Sequence, residues 1–161
     1  MKRHCIRNDL TFLSVLSTMS ILLLFGYFQN VFPSQNCPPT PYDEMGPFYR
    51  PNAPVRTIVG KGYLLKGTVR AAQGCRPLPG AMIEFWLVNE QGEYDEAHRA
   101  TVIADMNGEY SFECNRPTDY VGRLPHIHIR VTAEGHQELI TQHYPEKGKS
   151  GAKFDLVLSE N

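Results

Sequence analysis

Thr101-Val-Ile-Ala-Asp-Met-Asn-Gly-Glu-Tyr-Ser-Phe-Glu-Cys114 is the stretch whose reading decides the fold. Thr101 to Ala104 runs out as a strand, Asp105-Met-Asn-Gly108 carries the Asn-Gly chemistry of a hairpin turn, and Glu109 to Cys114 runs back. Upstream, Tyr63-Leu-Leu-Lys-Gly-Thr-Val69 is a strand, Ala72 to Gly80 supplies turn residues, and Ala81-Met-Ile-Glu-Phe-Trp-Leu-Val88 is a longer strand ending at the turn Asn89-Glu-Gln-Gly92. Downstream, Arg123 to Val131, Leu139 to Tyr144 and Lys153 to Leu158 complete the set. Short strands at this spacing, with no strong amphipathic helix between them, predict an all-β fold, an antiparallel β-sandwich. Residues 37–59 hold six prolines, so this stretch is predicted to wrap the sandwich as an irregular Pro-rich N-terminal arm.

The 161 residues divide into a leader and one domain. Lys2, Arg3 and Arg7 precede a stretch without charge from Thr11 to Tyr42, whose apolar heart is Phe12 to Phe28. A basic start before such a run has the pattern of a signal peptide or a single membrane anchor, here residues 1–36, with membrane attachment expected through residues 11–32. Cleavage and retention are both open. In either case the positive-inside bias places residues 37–161 outside the cytoplasm. Those residues suffice for one hydrophobic core and carry a formal charge near −3. With no basic patch interleaved with aromatics, nucleic acid is not an expected partner. Cys37, Cys75 and Cys114 lie beyond the apolar run, so one disulfide and one free thiol are expected, and the spacing chooses none of the three pairings.

The chemistry concentrates in Arg123-Leu-Pro-His-Ile-His-Ile-Arg-Val131. Alternate strand residues share a face, so His126 and His128 project together at a separation that one metal ion can bridge. Imidazole suits zinc, copper, iron and nickel, so the pair narrows the metal without naming it.

Around that pair a family resemblance becomes specific. From about Thr40 to Tyr144 the chain resembles the intradiol ring-cleavage dioxygenases, the family of catechol 1,2-dioxygenase and protocatechuate 3,4-dioxygenase. The matching pieces keep the family's order: Gly46-Pro-Phe-Tyr49, Leu65-Lys-Gly-Thr-Val69, Pro77-Leu-Pro-Gly-Ala81, Ile83-Glu-Phe-Trp86 with Gly92-Glu-Tyr94, Asp105 to Phe112, Arg123 to His128, and Leu139 to Tyr144. The resemblance implies a non-haem Fe(III) cofactor held by two tyrosinates and two histidines. These carry over onto Tyr94, Tyr120, His126 and His128. It implies a catechol-type substrate and O2, with Tyr120 as the ligand that a substrate displaces.

The resemblance also places Arg123 beside the substrate ring, where a guanidinium that cannot lose its charge stabilises developing negative charge. Gln142 matches a glutamine that supports the solvent ligand or substrate, Tyr49 a residue at the pocket mouth, and Tyr144 a residue behind the ligands. Tyr110, the competitor for the second tyrosinate, has the setting of a structural strand residue. Trp86 is expected in the core, and His98, His136 and His143 on the surface. Two features depart from the pattern: Tyr120 precedes His126 by only six residues, and only a short link joins Tyr94 to Asp105. An open pocket for substituted catechols or hydroxyquinols is therefore expected, or one completed by another subunit of a homo-oligomer. The rival reading is a non-catalytic binding module of the transthyretin-like or carboxypeptidase-regulatory-like kind. It accounts for residues 63–88 but not for Tyr94, Arg123 and the histidines.

Overall fold

The computed structural model describes residues 35–119 and 122–161, so the leader expected over residues 1–36 lies almost wholly outside the described residues. Among the described residues no helix is long and apolar enough to cross a membrane. The described residues form eight strands in two sheets: β1 (Gly62–Ala71), β2 (Met82–Val88), β3 (Tyr94–Ile103), β4 (Glu109–Asn115), β5 (Ile127–Thr132), β6 (Leu139–His143), β7 (Gly151–Lys153) and β8 (Leu156–Leu158). One sheet has the order β3-β2-β5-β6 and is antiparallel throughout. The other has the order β4-β1-β7, with β8 also on β1; β4 pairs antiparallel, while β7 and β8 pair parallel.

The two-residue period of a strand builds the core. Ile83, Phe85 and Leu87 of β2, with Ile127, Ile129 and Val131 of β5, face Tyr63 and Leu65 of β1 and Phe112 and Cys114 of β4. Phe85 and Phe112 stack across the gap, with centroids 4.2 Å apart. Tyr110 packs in this core and donates to the Phe154 carbonyl at 2.6 Å. It thus lies between the sheets with its hydroxyl committed to that carbonyl, while His126 and His128 project from the other face, and burial raises its hydroxyl pKa. Gly67 is required where the link between β7 and β8 crosses β1, because a Cβ there would lie 2.0 Å from the Phe154 carbonyl oxygen.

The turn at Asp105 forms as its sequence predicts. Asp105 Oδ1 accepts from the Asn107 and Glu109 amides at 2.8 and 2.9 Å, and Gly108 takes φ +72°. The strands on either side do not continue as a hairpin, however. Ile103 pairs with Met82 in one sheet while Glu109 pairs with Thr68 in the other. The turn is thus the corner where the chain changes sheet, a place that strand propensity alone cannot distinguish from a hairpin. The expected strand from Lys153 to Leu158 is likewise two strands, interrupted where Phe154 donates to the Lys66 carbonyl and Asp155 caps the Thr68 amide.

The Pro-rich arm wraps as expected. It starts beside β1 (Cys37 amide to Ala72 carbonyl) and touches the β6 edge (Asp43 amide to Ile140 carbonyl). It ends along β3 (Arg56 amide to Thr101 carbonyl) and β4 (Val59 amide to Glu113 carbonyl). Its beginning is tied by the Cys37–Cys75 disulfide, and Cys114 remains free and buried. The bridge joins residues 38 apart, a closure that the chain-entropy account values at about 4 kcal/mol. Cys75→Ser is expected to lower the urea-derived unfolding free energy by roughly 2–4 kcal/mol. Wild type in reductant should unfold like the variant; equal midpoints for oxidised protein and variant would refute a stabilising bridge.

Candidate metal centre

The arm covers the outer face of the β3-β2-β5-β6 sheet, where the register puts His128 opposite Trp86 on one side and Gln142 on the other. His126 stands just before β5, two residues from His128, and both are almost fully buried. Tyr94 arrives from β3 through an irregularity: Trp86 pairs with Arg99, yet Val88 pairs with Tyr94. A bulge of this kind re-aims a side chain and breaks regular pairing. As a result Tyr94 Oη lies 3.2 Å from His126 Nε2 and 3.0 Å from His128 Nε2, and the two Nε2 atoms are 3.2 Å apart. Among the described residues no three of His, Cys, Asp and Glu gather in metal-holding geometry; here the third donor is a tyrosine.

The protonation states suit ligation. His126 Nδ1 donates to the Leu124 carbonyl at 2.7 Å, which leaves its Nε2 lone pair facing the gap. Burial first, then the neighbouring His126 and Arg123, lowers the His128 pKa to about 3, so the ring is neutral. Burial likewise lowers His126. His128 Nδ1 is buried with no hydrogen bond of ordinary length, although the Glu44 carbonyl of the arm faces its ring. Donors that share an ion at about 2.0–2.1 Å stand about 2.8–3.4 Å from one another, so the three separations fit a common cation.

Trp86 does not join the core as expected. It lies on the outer face and stacks on the His128 ring, with centroids 4.9 Å apart and planes at 1°. The strand's alternation decides this, since Phe85 and Leu87 take the inner face. The Tyr49 ring packs on Trp86 and its hydroxyl donates to Glu84 Oε2 at 2.9 Å, so it braces this face of the sheet. Arg130 completes that brace by bonding Glu84 at 2.5 Å. His143 is half-buried rather than fully exposed: its Nε2 is 2.7 Å from the Tyr63 hydroxyl, and burial lowers its pKa to about 4.

Arg123 and Gln142 do come together. Arg123 Nη2 donates to Gln142 Oε1 at 3.2 Å, and Gln142 Nε2 donates to the Glu44 carbonyl at 2.7 Å. Tyr144 stands beside them, with its hydroxyl 3.1 Å from Gln142 Oε1. Tyr120 lies outside the described residues. Sequence reasoning missed three contributions from the arm: Asp43, the Glu44 carbonyl, and Phe48, which stacks on Tyr94 with centroids 4.6 Å apart. The Gly-Pro-Phe-Tyr motif marked this segment, but only the wrapped arm shows what it touches.

Gly46 explains one element of that motif. It has φ +70°, and a Cβ there would meet His128 Cε1 at 3.0 Å. Gly46→Ala is therefore expected to lower stability by roughly 1–3 kcal/mol through backbone strain, and metal affinity by roughly 10–100-fold through a displaced ring. Thermal melts and a metal titration check both; unchanged affinity would show that His128 tolerates the contact.

Comparisons with known proteins show the family of the chain. A family model described as "Dioxygenase" matches residues 49–159. Catechol 1,2-dioxygenase of Candida albicans is 35% identical over 137 residues, covering 62% of this chain and 45% of that protein. Chlorocatechol 1,2-dioxygenase of Pseudomonas putida is 30% identical over 156 residues, covering 71% of this chain and 60% of that protein. The chain thus spans about half the length of these curated relatives. A solved dioxygenase domain of a dioxygenase carbohydrate-binding protein fusion from Streptomyces sp. SirexAA-E superposes with TM-score 0.69 at 27% identity, covering 77% of this chain and 100% of that domain. The family match runs through Tyr94, Arg123, both histidines and Gln142, residues that the fold gathers from β3, the segment before β5, β5 and β6. On that match, the chain belongs to the intradiol ring-cleavage dioxygenase family.

Proposed function

We propose that this chain is a non-haem Fe(III)-dependent intradiol dioxygenase acting on catechol-type substrates, with Tyr94, His126 and His128 holding the iron and Tyr120 as the fourth protein ligand. The observation that carries the reading is the convergence of one phenol oxygen and two neutral imidazole nitrogens within 3.2 Å, with no carboxylate among them. Anionic phenolates suit a trivalent ion, in contrast to the two-histidine-one-carboxylate arrangement of ferrous oxygenases. When bound, ferric iron supplies the Lewis acidity that keeps phenols deprotonated at neutral pH and makes a catechol dianion reactive toward O2.

The chain's own residues do the rest. Tyr120 takes a proton from a catechol hydroxyl. Arg123, beside both histidines, stabilises negative charge developing on the substrate ring, and Gln142 holds that guanidinium. Trp86 and Gly46 fix the plane of His128. Both atoms of O2 enter the product, a cis,cis-muconate-type diacid. The site faces outward: Phe48, Leu124 and Tyr144 near it are 40%, 71% and 42% exposed, an open rim that suits bulky substituted catechols or hydroxyquinols. The Cys37–Cys75 disulfide supports a location outside the cytoplasm.

The test is a visible spectrum of the iron-loaded protein before and after anaerobic addition of catechol. A tyrosinate-to-iron charge-transfer band that shifts with catechol is expected. A colourless protein with stoichiometric zinc, or with no metal after iron loading, would favour a binding module instead. Turnover of bulky catechols should match that of catechol itself, and strict preference for one small catechol would count against the open rim.

A further inference from the structure

The arm brings one carboxylate to the edge of the metal centre, and no family motif quoted above contains it. Asp43 is held on the β6 edge by its amide bond to the Ile140 carbonyl, and the Glu44 amide donates to its Oδ1 at 2.6 Å. Its Oδ2 lies 3.0 Å from the Tyr144 hydroxyl, and its Oδ1 is 3.4 Å from Gln142 Nε2. The same Tyr144 hydroxyl is 3.1 Å from Gln142 Oε1, the oxygen to which Arg123 donates.

We propose that Asp43 is a positioning residue whose carboxylate draws the Tyr144 hydroxyl away from Gln142 Oε1 and so reserves that oxygen for Arg123. Tyr144 has one proton and two acceptors within reach, and a charged acceptor wins over a neutral amide. The Gln142 NH2 is already engaged by the Glu44 carbonyl, which keeps the amide from flipping and leaves its single oxygen toward Arg123 and Tyr144. Without the Asp43 carboxylate, the Tyr144 proton would go to Gln142 Oε1 and take one of the two lone pairs through which that oxygen can receive Arg123. The arm, tied at its start by the disulfide, thereby sets the guanidinium beside His126 and His128.

The mechanism makes a distinctive demand: removing the competitor should repair the loss of the carboxylate. Asp43→Ala is expected to lower kcat by roughly 10–100-fold, the range for loss of a supporting partner. KM should move less than about threefold, because Arg123 acts on charge that develops during reaction. In the Tyr144→Phe background, whatever the activity of that variant, adding Asp43→Ala should lower kcat less than about threefold, because the competing hydroxyl is already gone. Glu109→Gln on the far sheet removes the same charge and controls for it. The kinetic arm rests on the ring-cleavage reading.

A second readout does not. In metal-free protein, the Arg123 guanidinium ¹⁵N–¹H signals should be ordered in wild type, averaged in Asp43→Ala, and ordered again in the double variant. If wild type cleaves no catechol, the ring-cleavage reading fails while the NMR comparison still decides the role of Asp43. The proposal is overturned if Asp43→Ala keeps ordered Arg123 signals, or if Tyr144→Phe fails to restore them.

Discussion

Replacing His128 with alanine is expected to abolish metal binding and ring cleavage together. His128 Nε2 is one of three donors separated by 3.0–3.2 Å, and no other described imidazole reaches that gap. His143, the nearest alternative in sequence, points to the opposite face and meets Tyr63. Removing the ligand should exceed the roughly 10–100-fold effect of losing an outer partner, so a loss of at least about 10³-fold in kcat/KM is expected. Metal analysis after iron loading, with a thermal melt of the metal-free protein, checks it. The ring also packs on Trp86, so the variant should lose some stability without unfolding. Stoichiometric iron, or more than a tenth of the activity, in a folded His128→Ala variant would refute the ligand assignment.

The largest expected effect on stability is at Phe85. Its side chain is fully buried between the sheets, stacked on Phe112 and 5.8 Å from Tyr110. Truncation there opens a cavity that strands pinned on both sides cannot collapse, so Phe85→Ala should cost about 3–5 kcal/mol. For a domain of this size that is a drop of roughly 10–25 °C in melting temperature. Calorimetry with a denaturant titration checks it, and a shift below about 5 °C would mean that Phe112 and Tyr110 repack into the space. The metal-donor separations lie on the other face of the sheet. Iron loaded at low temperature should therefore still give the charge-transfer band, which separates core packing from site geometry.

Much of the fold was legible because its signals are local. The strand runs at Tyr63 to Val69 and Ala81 to Val88 carry the two-residue period, and β1 and β2 form within a few residues of those bounds. The His-x-His pair was legible for the same reason, since i and i+2 on a strand share a face wherever the strand goes. Tyr94 was reached through resemblance alone. Its aim depends on the bulge opposite Trp86 and Val88, which no pattern in Gly92-Glu-Tyr94 announces.

Other expectations turned on partners distant in sequence. The Asp105 turn has the residues of a hairpin, but β1 is the better partner for β4, so the chain turns a corner between sheets. Trp86 looked like core because its neighbours are apolar, while the parity of β2 sends it outward onto His128. The disulfide was narrowed to three pairings by spacing, and only the approach of the arm to the Gln73–Cys75 turn selects Cys37 with Cys75, leaving Cys114 inside the core.

The sequence by itself thus determined the sandwich class, the shared face of His126 and His128, and the family whose ordered motifs it carries, because each depends on residues near one another in the chain. The tertiary structure alone decided which distant residues gather around the two histidines. Tyr94 comes from β3, Gln142 from β6, and Asp43, Glu44, Gly46 and Phe48 from an arm without regular structure. Positions up to 101 residues apart meet there, as Asp43 and Tyr144 do, because sheet order and the path of the arm are set by which apolar faces can be buried together.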